Sequence, residues 1–181
     1  MRGKANALHN LGFVAMGQCD YRAALSLSER SLALARQVGE KHHITLTVTN
    51  IGVAATKLGE LVQARERFRE SLQLARELVA RRAGAAAIEG AGELASALGR
   101  CRGSVRFYGA ATALREEIGA PLDPKDAKEE GALVSDLRCR LGEITFESEW
   151  AAGRGLSFEA AVGEALAWLE SNDWMAAETN A

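Results

Sequence analysis

Apolar positions recur along this chain at helical spacing, and the recurrence itself repeats. Leu8, Leu11, Gly12 and Ala15 share one face of a helix; Val48, Ile51, Gly52 and Ala55, then Ile88, Ala91, Gly92 and Ala95, take the same places at 40-residue steps. Intervals of three and four residues predict amphipathic α-helices. Leu34, Leu74 and Leu114 keep the register, as do Ala24, Ala64 and Ser104, and Ser31, Ser71 and Ala111. Self-similarity at this period marks a stacked repeat. Each unit predicts two helices, A then B. The first helix A is predicted over 4–16 and the three helices B over 21–38, 61–82 and 101–118. Turns at 17–21, 58–61 and 98–101 are short, so A and B should be antiparallel neighbours. Glycine inside a helix costs about 1 kcal/mol relative to alanine. Its return at 12, 52 and 92 predicts a neighbouring helix too close for a side chain.

The pattern breaks after Gly119, a C-cap candidate, at Ala120-Pro121-Leu122-Asp123-Pro124. Asp123 suits an N-cap with Pro124 in the first helical position, which predicts a helix over 124–141. A shorter helix follows over 143–152, then a turn at Gly153-Arg154-Gly155, then a helix over 158–170 with Ser157 as N-cap. Phe146, Trp150, Phe158, Trp168 and Trp174 concentrate in this part, where a terminal repeat needs its apolar face covered. The expected architecture is therefore all-α: an α-solenoid of about three helical hairpins, right-handed and curved, with a C-terminal helical cap. Its expected boundaries are 1–119 for the array, in units 1–40, 41–80 and 81–119, then 120–171 for the capping helices, then a flexible tail over 172–181 that Trp174 pins in part.

Composition removes several functions. Lys and Arg total 22 against 24 Asp and Glu, so no basic excess favours nucleic acid. Apolar runs fall well short of the ~18 residues that span a bilayer, and no hydrophobic signal core follows Met1. Cys19, Cys101 and Cys139 are widely spaced and form no CxxC, which reads as reduced thiols in a cytoplasmic protein. His9, His42 and His43 have no carboxylate or thiol partner at metal-ligand spacing, so neither a metal nor a cofactor is expected. Glu89 and Glu93 lie one turn apart but lack a nucleophile, and no catalytic residue is assigned. The alternating Arg65, Glu66, Arg69, Glu70, Arg76 and Glu77 read as a solvated face, and so do Arg100, Arg102, Arg106 and Arg115.

Asn10-Leu11-Gly12, Gln18-Cys19-Asp20-Tyr21 and Ala24, with Asn50-Ile51-Gly52, Gly59-Glu60-Leu61 and Ala64, resemble the tetratricopeptide repeat (TPR). The usual TPR unit has about 34 residues, so helix B and its linker must be longer here. Ser31-Leu32-Ala33-Leu34-Ala35-Arg36 and Ser71-Leu72-Gln73-Leu74-Ala75-Arg76 resemble the long repeats of large bacterial signal-transduction ATPases, the STAND class that includes LuxR-type transcriptional regulators. Phe107-Tyr108-Gly109-Ala110-Ala111, the run from Leu114 to Pro121, Trp150-Ala151-Ala152-Gly153-Arg154 and Leu156-Ser157-Phe158-Glu159-Ala160-Ala161 resemble the end of such arrays. The chain carries no GxxxxGK[ST], so no ATP site is carried over, and no helix-turn-helix region follows Ala181. The expectation is a C-terminal fragment or a short stand-alone relative.

The resemblance implies a non-enzymatic interaction or sensor module, with helix A lining a concave groove. The groove candidates are Asn6, His9, Asn10, Phe13 and Met16 in the first repeat, Thr49, Asn50, Val53 and Thr56 in the second, and Glu89, Glu93 and Ser96 in the third. Such a groove is apolar at one end and acidic at the other, complementary to a peptide with a basic end. His9, Phe13, Ala86 and Gly90 stand where receptors of C-terminal carboxylates place polar or cationic groups, so that role is rejected. The expected occupant is a protein, a peptide or a small effector, with neither nucleic acid nor membrane bound directly. The main alternative is a homodimer through the uncovered first helix; a small enzyme of unknown type is a remote one.

Overall fold

The computed structural model describes residues 2–175. Among them the chain forms nine helices: α1 Arg2–Gly17, α2 Tyr21–Val38, α3 Lys41–Lys57, α4 Leu61–Glu77, α5 Arg81–Ala97, α6 Cys101–Glu117, α7 Pro124–Leu141, α8 Glu143–Arg154 and α9 Phe158–Glu170. Helices α1 to α6 pack as successive antiparallel hairpins, each stacked on the next, and the molecule is an all-α solenoid. Of the predicted tail, residues 172–175 continue as turn with Trp174 buried, and 176–181 lie outside the described residues.

The joints repeat every 20 residues, half the period visible in the apolar pattern. Cys19, Gly39, Gly59, Val79, Gly99 and Gly119 all have positive φ, between 50° and 76°. After each, a backbone N–H reaches back to the same place: Asp20 to Ala15 O, Glu40 to Ala35 O, Glu60 to Ala55 O, Ala80 to Ala75 O, Arg100 to Ala95 O and Ala120 to Arg115 O. This is the six-to-one bond of a Schellman ending, which satisfies carbonyls that the helix leaves free. Glycine fits the left-handed turn at four of the six joints; Cys19 and Val79 occupy it with a side chain. The joint at Val79 corrects one predicted boundary. Helix B of the second repeat stops at Glu77 rather than running to 82, and α5 begins at Arg81. No glycine marks that break, so the apolar pattern reads straight through it.

The recurring glycines have a physical cause that differs from backbone contact. A Cβ on Gly52 would lie 2.6 Å from the Phe68 ring, and one on Gly90 would lie 2.2 Å from the same ring. Phe68, wholly buried, is thus clasped between α3 and α5. Gly92 receives Tyr108 at 3.2 Å, and Gly12 receives the Ser28 hydroxyl at 2.9 Å. Ser28, Phe68 and Tyr108 are themselves 40 residues apart, so each helix B seats one side chain over the glycine of its own helix A. Backbones do meet at the end of the array. A Cβ on Gly109 would lie 2.6 Å from Trp150 O, and one on Gly153 would lie 2.0 Å from Arg106 O. That approach lets α8 lie against α6. Gly153 and Arg154, predicted as a turn, are the last residues of α8.

The C-terminal helices cover two different sides. Asp123 caps α7, its carboxylate accepting from Lys125 N and Asp126 N at 3.0 and 3.1 Å, and Ser157 caps α9 through Ala160 N at 3.2 Å. Helix α9 lies across α4, α5 and α6 and completes the main core, where Phe158, Val162, Leu166, Leu169 and Trp174 join Phe68, Leu72, Ile88, Leu94, Phe107 and Leu114. Arg65 stacks on Trp174 at 4.8 Å, and Phe107 meets Trp168 at 5.6 Å. Leu137 of α7 and Phe146 of α8 form a separate cluster with Val105 and Tyr108, against which Trp150 stacks.

Candidate interaction groove

Helices α1, α3 and α5 would present the inner face of the array. The twelve candidate residues do not share one environment. Asn6, Asn10 and Phe13 are exposed, Phe13 by 57%, and form the open part of the face on α1. Met16 is half-buried and packs beside Ala15, Ala24 and Ala54. Asn50 and Val53 on α3 are half-buried, Val53 resting on the main core.

Positions 9, 49 and 89 turn away from the groove into the seams between helices. Thr49 is 4% exposed; its hydroxyl donates to Thr45 O and lies 2.7 Å from the Ser71 hydroxyl of α4. Thr56 is likewise buried, donating to Gly52 O at 2.9 Å within its own helix. Neither lines a groove, because a β-branched hydroxyl in a crowded helix finds its partner one turn back. His9 is half-buried, with Nδ1 3.2 Å from Thr47 Oγ1 and its ring 5.0 Å from that of His43. Burial, then the charge of His43, lowers the His9 pKa; burial lowers that of His43. His43 Nε2 lies 3.0 Å from the Ser31 hydroxyl, which donates to Ala5 O. The pair ties α1 to α2 and α3.

The third-repeat end is charged and partly roofed. Glu89 accepts from Arg115 Nε at 3.0 Å, and Glu93 pairs with Lys57 across α3 and α5. Burial raises the Glu89 pKa against the pull of Arg115. Burial opposes the charge on Lys57, but Glu93 overcomes it and raises its pKa. Ser96 sits half-buried nearby. Over this end lies the first half of α7, which the apolar pattern did not place. Lys125 Nζ donates to Gly17 O at the end of α1, at 2.6 Å. Burial and then the charge of Glu89 push the Glu130 carboxyl from 4.5 up to about 7, with Arg115 opposing. A cleft of about 310 Å³ runs beneath, lined by Thr112, Arg115, Pro121, Leu122, Ala127 and Glu130. The half of α7 that does this carries Pro124-Lys125-Asp126-Ala127-Lys128-Glu129-Glu130, which has no apolar stripe to reveal a packing face.

Among the described residues no three His, Cys, Asp or Glu side chains gather to hold a metal, and no helix is long and apolar enough to cross a membrane. The arginines read as a solvated patch are mostly engaged: Arg106 grips Glu164 with Nε at 2.7 Å and a second nitrogen at 3.0 Å, and Arg100 donates to Asp173 O.

Residues 3–50 match the family model of the tetratricopeptide repeat. No curated protein matches the chain. That match, with the helical hairpins stacked beyond it, supports a TPR array. TPR repeats generally mediate protein–protein interaction and are typically non-catalytic.

Proposed function

We propose that this chain is the interaction and sensor module of a bacterial signalling or transcriptional regulator, acting in the cytoplasm and seating a protein or peptide on its helix A face. The observation that carries this reading is the inner face of α1, where Phe13 stands out beside Asn6 and Asn10 on a rigid repeat scaffold. An exposed aromatic flanked by amides suits a partner's apolar anchor and its backbone amides. The likeness of the C-terminal run to regulator arrays supports the context, and three free thiols fit a reducing compartment. Seating would bias the array between curvatures through differential affinity alone.

The test is a peptide-display selection on the full chain, followed by titration of the enriched peptide against Phe13→Asp. The reading expects about tenfold or greater weakening, the scale of losing one apolar anchor. Enriched peptides indifferent to Phe13→Asp would place recognition elsewhere.

A further inference from the structure

A hydrogen-bond donor shielded from water is costly unless something supplies its acceptor. Among the described residues four buried side-chain polar atoms have no partner: Ser28 Oγ, Arg67 Nε, Arg100 Nε and Trp168 Nε1. Two of these four belong to side chains that line the same cleft, about 280 Å³ in volume, between α6 and α9. Its apolar wall is made by Ala95, Phe107, Ala167 and the Trp168 ring, which meets Phe107 at 5.6 Å. Three charged side chains complete it. Arg106 and Glu164 cancel each other at 2.7 Å; Glu149, 3.5 Å from Arg106, lies off the cleft wall. Arg100 is different. It is half-buried, it donates to the neutral Asp173 O, and no carboxylate among the described residues pairs with it. The cleft therefore holds one uncompensated guanidinium and two donors lacking acceptors. Neither a guanidinium nor an indole N–H can accept a hydrogen bond, so only an acceptor-bearing group satisfies them.

We propose that this cleft is a binding site for a small carboxylate with an apolar body. The carboxylate accepts from the Arg100 guanidinium and the Trp168 indole N–H, and the body lies against Phe107 and the alanines. Charge selects an acid over a neutral acceptor: Arg100 has no counter-ion, and a guanidinium bonds a carboxylate about twice as strongly as a neutral oxygen. The position agrees. Arg100 is the N-cap of α6 and adds no side-chain cap of its own, and the amino end of a helix carries partial positive charge. Size sets the class of ligand. A water takes about 30 Å³ of liquid, so the cleft admits roughly nine non-hydrogen atoms, enough for a short aryl or alkyl acid and too little for a partner's helix. None of its lining residues is among the helix A candidates, so this site is independent of the groove reading. With α6 on one side and α9 on the other, a bound acid would fasten the cap to the array.

The test is titration of the nitrogen-labelled full chain with phenylacetate, read at the indole N–H signals, with Trp168→Phe assigning the one from α9. Phenylacetate should move the Trp168 indole proton downfield and saturate, with a dissociation constant of about 1 mM, the scale for so small a ligand. Phenylacetamide, which keeps the shape and loses the charge, should bind about tenfold more weakly, and phenethylamine should leave the signal in place. Arg100→Gln should weaken phenylacetate by about tenfold, with unchanged helical circular dichroism and an unmoved Trp174 indole signal. Trp168→Phe keeps an aromatic wall and removes the donor; followed through the amide signals of α6 and α9, it should weaken binding by about threefold to tenfold. No saturable movement up to about 20 mM acid overturns the proposal, whether because ordered water already meets both donors or because an acidic peptide alone moves the signal. Equal affinity for the acid and the amide overturns it as well, and so does binding that Arg100→Gln leaves unchanged. Should that variant fail to fold, the comparison of acid with amide on the wild type decides.

Discussion

At the scale of single residues, the fold depends on where a side chain is absent and on where one is present against its own preference. Phe68 fits only because Gly52 and Gly90 leave room on both sides of its ring, and this explains why a costly residue recurs in mid-helix. The sequence made the place of Gly52 legible but not its reason; the partner in the sandwich, Gly90, lies outside the 40-residue series. Val79 is the opposite case. It holds φ 50° at a joint where Gly39 and Gly119 hold the same conformation freely. A β-branched residue in the left-handed region is strained by about 1–2 kcal/mol. Part of that gain returns as unfolded-state entropy when glycine replaces it. Val79→Gly should therefore raise stability by about 0.5–1 kcal/mol, read as a shift in the urea midpoint with unchanged slope. The side chain is exposed, so little packing is lost in exchange.

Among the elements, α7 is the one whose position depends on charge. Its second half is anchored through Leu137, its only buried residue, while its first half is held by the Lys125 ammonium, which donates to Gly17 O, and by half-buried Glu130. The helix itself was legible from Asp123 and Pro124, and its bounds agree; its docking was not, since seven polar or small residues carry no stripe. Glu130 faces Glu89 of α5 and Arg115 and Tyr108 of α6, with Asp126 on its own helix nearby. Its folded pKa, about 7, lies above the unfolded value near 4.5. The native state thus binds the proton more tightly, and its contribution is complete below pH 4.5 and lost as pH rises through 7. The chain should melt at progressively lower temperature between pH 5 and 8. Glu130→Gln, which keeps the neutral shape, should flatten that slope and leave the pH 5 melting temperature nearly unchanged. An equal slope in both proteins would show that this carboxyl does not govern α7 docking.

Over the whole molecule, stabilising contacts are distributed unevenly. Stacked repeats have stability close to a sum of local terms and neighbour interfaces. Here α9 bridges α4, α5 and α6 and joins their cores into one, whereas α1 buries only Ala5, Leu8, Gly12 and Ala15. The cap was expected at the end of the array; that its last helix turns back over the second repeat is not readable from local pattern, because α9's apolar face fits any neighbour. Native-state hydrogen exchange should therefore find amides of α1 and α2 opening at lower free energy than those of α4 to α6, which should exchange together near the global limit. Uniform protection along the chain would contradict this division. The bridge made by α9 has a mechanical corollary. With the second and third hairpins riveted into one block, bending falls chiefly on the seam between the first hairpin and that block. A load applied at the first hairpin would be delivered to the rest of the chain across the α2–α3 packing and the two side bonds beside it, His9 to Thr47 and Lys125 to Gly17 O, as a lever turns on a hinge, rather than dissipating along an evenly elastic coil.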